Sequence, residues 1–324
     1  MQKITVVGTT CIDIIKWTNS KHKFKSFGGI IYLITALSGL FKQDGIIYPV
    51  TKIERKYYKN YLRFLKNYPN IKLDYIYDEP GKTNIVTLIY DEKNKHRCEK
   101  SFLGSTPIKF TQIKPVINFS DIMVITYISG YDISLSVLEK LRNNYKGIIY
   151  GDIHSFILTR CKRGIRRYKN IKNYEQWIKN FDILQGNEIE WQILLKNKFP
   201  KLKIVDTPIL AKIKYFKTIA KYVLSVGVNK IIMTMGEDGV IGAEKVKNKI
   251  TFYNIPGRKV KNINDTTGCG DTLTAGVIWG LLTKNNFKSG LEAGNYLASI
   301  KVKKLGFFTS QEIYKKLLSN IRKY

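Results

Sequence analysis

Short β-branched runs alternate with longer amphipathic stretches along almost the whole chain, and this alternation leaves few folds open. The strand candidates are KITVVG (3–8), GIIYPV (45–50), KLDYIY (72–77), DIMVIT (121–126), GIIYGDI (147–153), FDILQG (181–186) and KIIMTM (230–235). Between them lie helix candidates at 29–41, 55–68, 134–145 and 208–227. A chain built this way predicts an α/β fold, a doubly wound and mostly parallel sheet with helices on both faces.

Two regions depart from the alternation. Residues 83–103 look like two extended segments around the polar turn Asp91-Glu92-Lys93-Asn94, a β-hairpin inserted between sheet strands. After 235 the pattern predicts a hairpin around Gly236-Glu237-Asp238-Gly239, a strand over 251–255 and helices near 270–283, 287–304 and 310–322. With no internal repeat or Pro/Ser-rich linker, one domain over 1–324 with a small appendage is the simplest organisation.

Composition narrows the function classes. No stretch approaches the ~18 uninterrupted apolar residues of a membrane helix. Cys11, Cys98, Cys161 and Cys269 form no CxxC pair, which argues against a zinc site and, together with a start that does not read as a signal peptide, points to a reducing, cytoplasmic setting. The net charge of +30 brings nucleic acid into consideration as a partner. Lysine is nevertheless scattered through nearly every segment. The densest basic cluster, Arg160, Lys162, Arg163, Arg166, Arg167 and Lys169, reads as a solvated loop, with an anion-binding patch as the alternative.

The segment DTTGCGDTLTAG (265–276) carries the most chemistry. Two glycines one residue apart, then an acid and an apolar helical run, set several backbone amides at a helix N-terminus with no side chains in the way. Phosphate suits such a place, because open amides and the helix dipole both favour negative charge. Asp271 stands at its edge, where it could take the proton of an attacking hydroxyl. Taken alone, Asp271 would pass for a helix cap.

DTTGCGD resembles the DTTGAGD signature of the PfkB, or ribokinase-like, family of carbohydrate and nucleoside kinases. The resemblance implies that the Gly268, Cys269 and Gly270 amides form an anion hole and that Asp271 is the catalytic base. Asp265 and Thr267 join the nucleotide side, and Cys269 replaces the usual alanine. Asn187 and Glu190, a capping box when read alone, resemble the N-x-x-E element that organises Mg²⁺ through water. Thr234, Gly236 and Gly239 resemble the T-x-G-x-x-G loop that lies against ATP.

On the acceptor side the resemblance places Asp13, Gly28 and Gly29, with Asp152 and His154 as further candidates. Leu33 stands where a typical member has a sugar-contacting asparagine. The lid would comprise segments near 12–27 and 83–103 and could mediate a homodimer. The expected activity is ATP- and Mg²⁺-dependent phosphorylation of a small-molecule hydroxyl, a sugar or sugar derivative, with a monovalent cation left open. Nucleosides or vitamin precursors remain as alternative acceptors. A nucleic-acid-associated protein with a non-catalytic kinase pocket is the alternative from another class, against which the intact Asp271 argues.

Overall fold

The computed structural model describes residues 1–79, 81–91, 97–160 and 164–308. Four expectations fall wholly or partly outside them: Glu92 to Asn94 of the polar turn, Cys161 among the four cysteines, Lys162 and Arg163 of the basic cluster, and the helix over 310–322.

Nine strands of the described residues form the main sheet: β1 (Gln2–Val7), β4 (Gly45–Glu54), β5 (Ile76–Glu79), β8 (Ile122–Thr126), β9 (Ile148–Asp152), β10 (Ile183–Asn187), β11 (Lys230–Thr234), β12 (Gly239–Val246) and β13 (Lys249–Pro256). Their spatial order is β13-β12-β11-β10-β9-β8-β1-β4-β5. From β5 to β11 all neighbours are parallel, and β12 and β13 close one edge as antiparallel strands.

The helices are α1 (Ile31–Leu40), α2 (Arg55–Leu65), α3 (Phe110–Ile113), α4 (Leu135–Asn144), α5 (Tyr174–Ile178), α6 (Glu188–Leu194), α7 (Ile209–Val226), α8 (Cys269–Lys284) and α9 (Phe287–Lys301). Two apolar layers show why the sheet is doubly wound. One joins α1, α2, α8 and α9 to the strands, with Ile4, Val124 and Ile232 facing them. The other joins α4 to α7 to the opposite face, with Val7, Ile125 and Ile231. Successive strand residues thus feed opposite cores, as a period of two requires.

A second, four-stranded sheet of β3 (Lys23–Gly29), β2 (Thr10–Trp17), β6 (Asn84–Tyr90) and β7 (Arg97–Phe102) forms the lid, in that spatial order. The hairpin expected over 83–103 is β6 and β7. The lid segment expected near 12–27 is the β2–β3 hairpin, paired from Thr10–Gly29 to Lys16–Lys23. KLDYIY shrinks to the short β5, which begins at Ile76.

α8 and α9 lie side by side at unusually close range, because a Cβ on Gly276 would fall 2.5 Å from the Gly294 Cα. That contact fixes where the far end of α9 returns, beneath the start of α8.

Candidate active site

The start of α8 leaves backbone amides open to the cavity. Gly268 takes the left-handed conformation (φ 78°), and a Cβ there would lie 2.4 Å from the Tyr32 ring. A Cβ on Gly270 would meet nothing within 4 Å, so the space above that amide is open. Among the described residues the Gly268 and Gly270 amides donate to no protein group, whereas the Cys269 amide donates to Thr266 O at 3.2 Å. Gln185 Nε2 donates to Gly270 O at 3.4 Å and ties this turn to β10.

Asp271 sits in the first turn of α8, half-buried at the wall of a cavity of about 260 Å³. Burial, with the charge of Asp13 adding to it, pushes its carboxyl up to about 7; its own amide and the Lys301 ammonium pull the other way. Asp152, at the end of β9, and Glu190 share the cavity. Burial raises both, and for Asp152 the charges of Glu190 and Asp271 raise it further. Three acids that resist sharing their negative charge mark a place for a cation or a proton in transit.

Asn187 and Glu190 do form the capping box of α6. The Asn187 amide donates to Glu190 Oε2 at 2.6 Å, and the Glu190 amide donates to Asn187 Oδ1 at 2.9 Å. Both also line the cavity, so capping fixes the carboxylate that faces it. Lys212 Nζ bridges Glu188 and Asp238, each at 2.7 Å, and pins the start of α6 to the turn after β11. Thr234 reaches the cavity from that turn. Gly236 and Gly239 shape the turn from outside the cavity wall, each with a positive φ.

The opposite end of the cavity belongs to the lid hairpin and α1. Asp13, on β2, is 3% exposed; its Oδ2 accepts from the Tyr32 hydroxyl at 3.0 Å and its Oδ1 from Cys11 Sγ at 3.2 Å. Burial pushes this carboxyl up to about 6, with those two bonds restraining the rise. The paired glycines now have separate reasons. A Cβ on Gly28 would stand 2.2 Å from the Asp13 carboxyl, and Gly29 needs its positive φ (69°) to turn β3 into α1 under Thr9 O, 2.3 Å from where its Cβ would be.

Asp13, Gly29, Asp152, His154, Asn187, Glu190, Thr234, Thr267, Gly268, Gly270 and Asp271 therefore meet around one cavity. Gly28 stands behind Asp13, and Asp265 lies buried beneath the loop, accepting from the Tyr90 hydroxyl and the Thr267 amide, each at 2.9 Å. Leu33 does not reach the cavity; it is 1% exposed in the core, and its neighbour Tyr32 takes the site-facing place. Glu99 on lid strand β7 and Gln185 also line the cavity and were not foreseen. Period-two alternation back from Leu103 through Ser101 could have pointed to Glu99.

The basic cluster is only partly a solvated loop. Arg166 donates to the carbonyls of Ser129 (2.6 Å) and Thr159 (2.9 Å), and so braces the turn beside His154. Lys169 lies 4.3 Å over the Tyr131 ring, and burial lowers its ammonium to about 8.

Among the described residues no three His, Cys, Asp or Glu side chains come together to enclose a metal ion. No helix among them is long and apolar enough to cross a membrane.

Residues 150–313, just over half of the chain, match the model of the pfkB family carbohydrate kinases. No curated protein sequence matches the chain at a significant level. Among solved structures, a ribokinase from Thermotoga maritima covers 99% of this chain and 100% of its own, at TM-score 0.74 and 22% identity. A pyrophosphate-dependent kinase in the ribokinase family covers 97% and 99%, at TM-score 0.73 and 16% identity. The nucleoside kinase of Methanocaldococcus jannaschii covers 100% and 99%, at TM-score 0.69 and 20% identity. These likenesses establish the ribokinase-like fold over the whole chain, and the family match reaches through the signature loop at 265–271. The chain belongs to the pfkB family of carbohydrate kinases, enzymes that move a phosphoryl group to an alcohol.

Proposed function

We propose that this chain phosphorylates a hydroxyl of a small polar molecule, a sugar or sugar derivative, with ATP as donor and Asp271 as general base. The observation that carries this reading is the sharing of one cavity by the Asp271 carboxylate, the open Gly268 and Gly270 amides and, at its far end, Asp13. An acceptor hydroxyl held by Asp13 and Glu99 enters from the lid side, and the donor phosphates enter over the start of α8. The acceptor oxygen bonds to the γ-phosphorus as the bond from that phosphorus to the bridging β–γ oxygen breaks. Asp271 takes the hydroxyl proton, and ADP leaves.

The Gly268 and Gly270 amides and the positive end of α8 stabilise charge spread over the γ-phosphoryl oxygens. The Cys269 amide joins them only by giving up its bond to Thr266 O. Thr234 and the turn through Gly236 and Gly239 lie along the donor side. The lid strands exclude water, which would otherwise compete as acceptor.

The residues present fit magnesium as an ion carried on phosphate oxygens and water. Asp152 and Glu190 are buried carboxyls whose ionised forms lack compensation and would gain it from a nearby cation, and the site lacks a three-ligand protein cage among the described residues. When bound, the ion would offset charge on the donor phosphates.

The test is an ADP-release screen of the full chain over sugars, polyols and nucleosides, with pyrophosphate run as a competing donor. Release of ADP dependent on one acceptor supports the reading. Transfer from pyrophosphate with none from ATP would overturn the donor assignment.

A further inference from the structure

α9 ends inside the protein. Its last residue, Lys301, is 0% exposed, a rare position for an ammonium unless it is paired. Lys301 Nζ lies 3.6 Å from Asp265 Oδ2, donates to Lys304 O at 3.1 Å and stands 5.8 Å from the centre of the Tyr32 ring. Asp265 is itself 1% exposed and opens the signature loop. Its Oδ2 also accepts from the Gly306 amide at 3.3 Å, and its own amide donates to Val302 O at 3.2 Å. One ammonium thus connects the end of α9, the turn after it and the loop that leads into α8.

A buried ion pair adds little stability over a well-packed apolar pair, so stability alone is a weak reason for Lys301. The location supplies a better one. Asp265 places a negative charge directly beneath the amides that are to receive phosphate, and that charge would oppose the donor unless it were neutralised. A carboxylate oxygen and a backbone carbonyl are also the oxygen pair that would hold a free monovalent cation. Here a covalently attached ammonium holds that place.

We propose that Lys301 is a built-in monovalent cation: it neutralises Asp265 and fixes the 265–270 loop, so that donor binding by this chain needs no potassium or ammonium ion. Lys301 touches neither donor nor acceptor and is a positioning residue. The proposal rests on the kinase reading of the site for its consequence on donor binding, though not for its effect on the fold.

The experiment uses the full chain in potassium, ammonium or choline chloride at equal ionic strength, with two readouts: thermal unfolding and MgATP affinity by calorimetry. Lys301→Ala opens a space beside Asp265 that a free cation can enter, and Lys301→Met fills that space without charge. The wild-type protein is expected to behave alike in all three salts. Lys301→Ala should unfold at lower temperature and bind MgATP about tenfold more weakly in choline, and recover both in potassium or ammonium. Lys301→Met should not recover in any salt.

A purely structural ion pair would leave Lys301→Ala equally impaired in every salt, and that result overturns the proposal. So does a wild-type protein whose unfolding or MgATP affinity depends on potassium, an outcome readable even if the variants do not fold. If the wild-type protein binds MgATP in no salt, the donor reading falls, and the unfolding measurements still decide the role of Lys301.

Discussion

The Tyr32 hydroxyl donates to Asp13 Oδ2 at 3.0 Å, and this bond ties the first turn of α1 to the inner face of lid strand β2. It favours the ionised carboxylate against the burial that pushes Asp13 up to about 6. If ionised Asp13 receives an acceptor hydroxyl, the acceptor KM should rise as pH falls through about 6. Tyr32→Phe removes one hydrogen bond to the charged form, so the break in KM should move up by about one pH unit. A KM profile that Tyr32→Phe leaves in place would separate Asp13 from acceptor binding.

Two glycine substitutions should fail in different ways. Gly28→Ala drives a methyl against the Asp13 carboxyl, 2.2 Å away, and should destabilise the protein by about 1–3 kcal/mol. Gly270→Ala meets no protein atom within 4 Å, so its melting temperature should change little. Its methyl would occupy the space proposed for phosphate and should lower kcat/KM roughly a hundredfold. Normal turnover in Gly270→Ala would place the phosphate elsewhere.

Glu190 combines a cap with a charge, and Glu190→Gln separates them. Glutamine can still accept from the Asn187 amide, as a capping box needs, but removes negative charge from the cavity. The variant should keep its helix content, melt no lower than the wild-type protein and require roughly tenfold more Mg²⁺ for half-maximal turnover. An unchanged Mg²⁺ requirement would leave Glu190 as a cap alone.

Much of the fold was legible in the sequence because buried parallel strands and amphipathic helices write strong patterns. The β2–β3 pairing did not show in the residue pattern, and Asp13 is the reason. An acid on the inward face of TCIDIIKW breaks the apolar alternation at the point where β2 lines the cavity. The α1 helix hid its site-facing residue differently: all ten of its residues are buried, so no periodicity distinguishes Tyr32 from Leu33. Signature residues Gly268 to Asp271 were legible as a local motif. Lys301 and Glu99 were not, since only tertiary folding brings α9 and the lid to that motif.

The raised acids also predict how stability changes with pH. Asp271 has a folded value of about 7 against an ordinary carboxylate value of 3.8, so between them the folded state binds the extra proton. Stability therefore falls as pH rises through that window, and the deficit is complete above about 7. Asp271→Asn should be more stable than the wild-type protein at pH 8, by about 2 kcal/mol once the side chain's opening to the cavity is discounted, with little difference near pH 4. Denaturant unfolding at the two pH values measures it; a variant less stable at pH 8 would contradict the burial of an ionised Asp271.

The most direct measurement of the central claim compares wild-type protein and Asp271→Ala in two assays, MgATP binding by calorimetry and single-turnover transfer to an acceptor found by the ADP-release screen. The account predicts MgATP affinity within a few-fold of wild type and a transfer rate at least about a hundredfold lower, because the variant keeps the amides of the α8 start and loses only the base. Near-normal transfer by Asp271→Ala would contradict it.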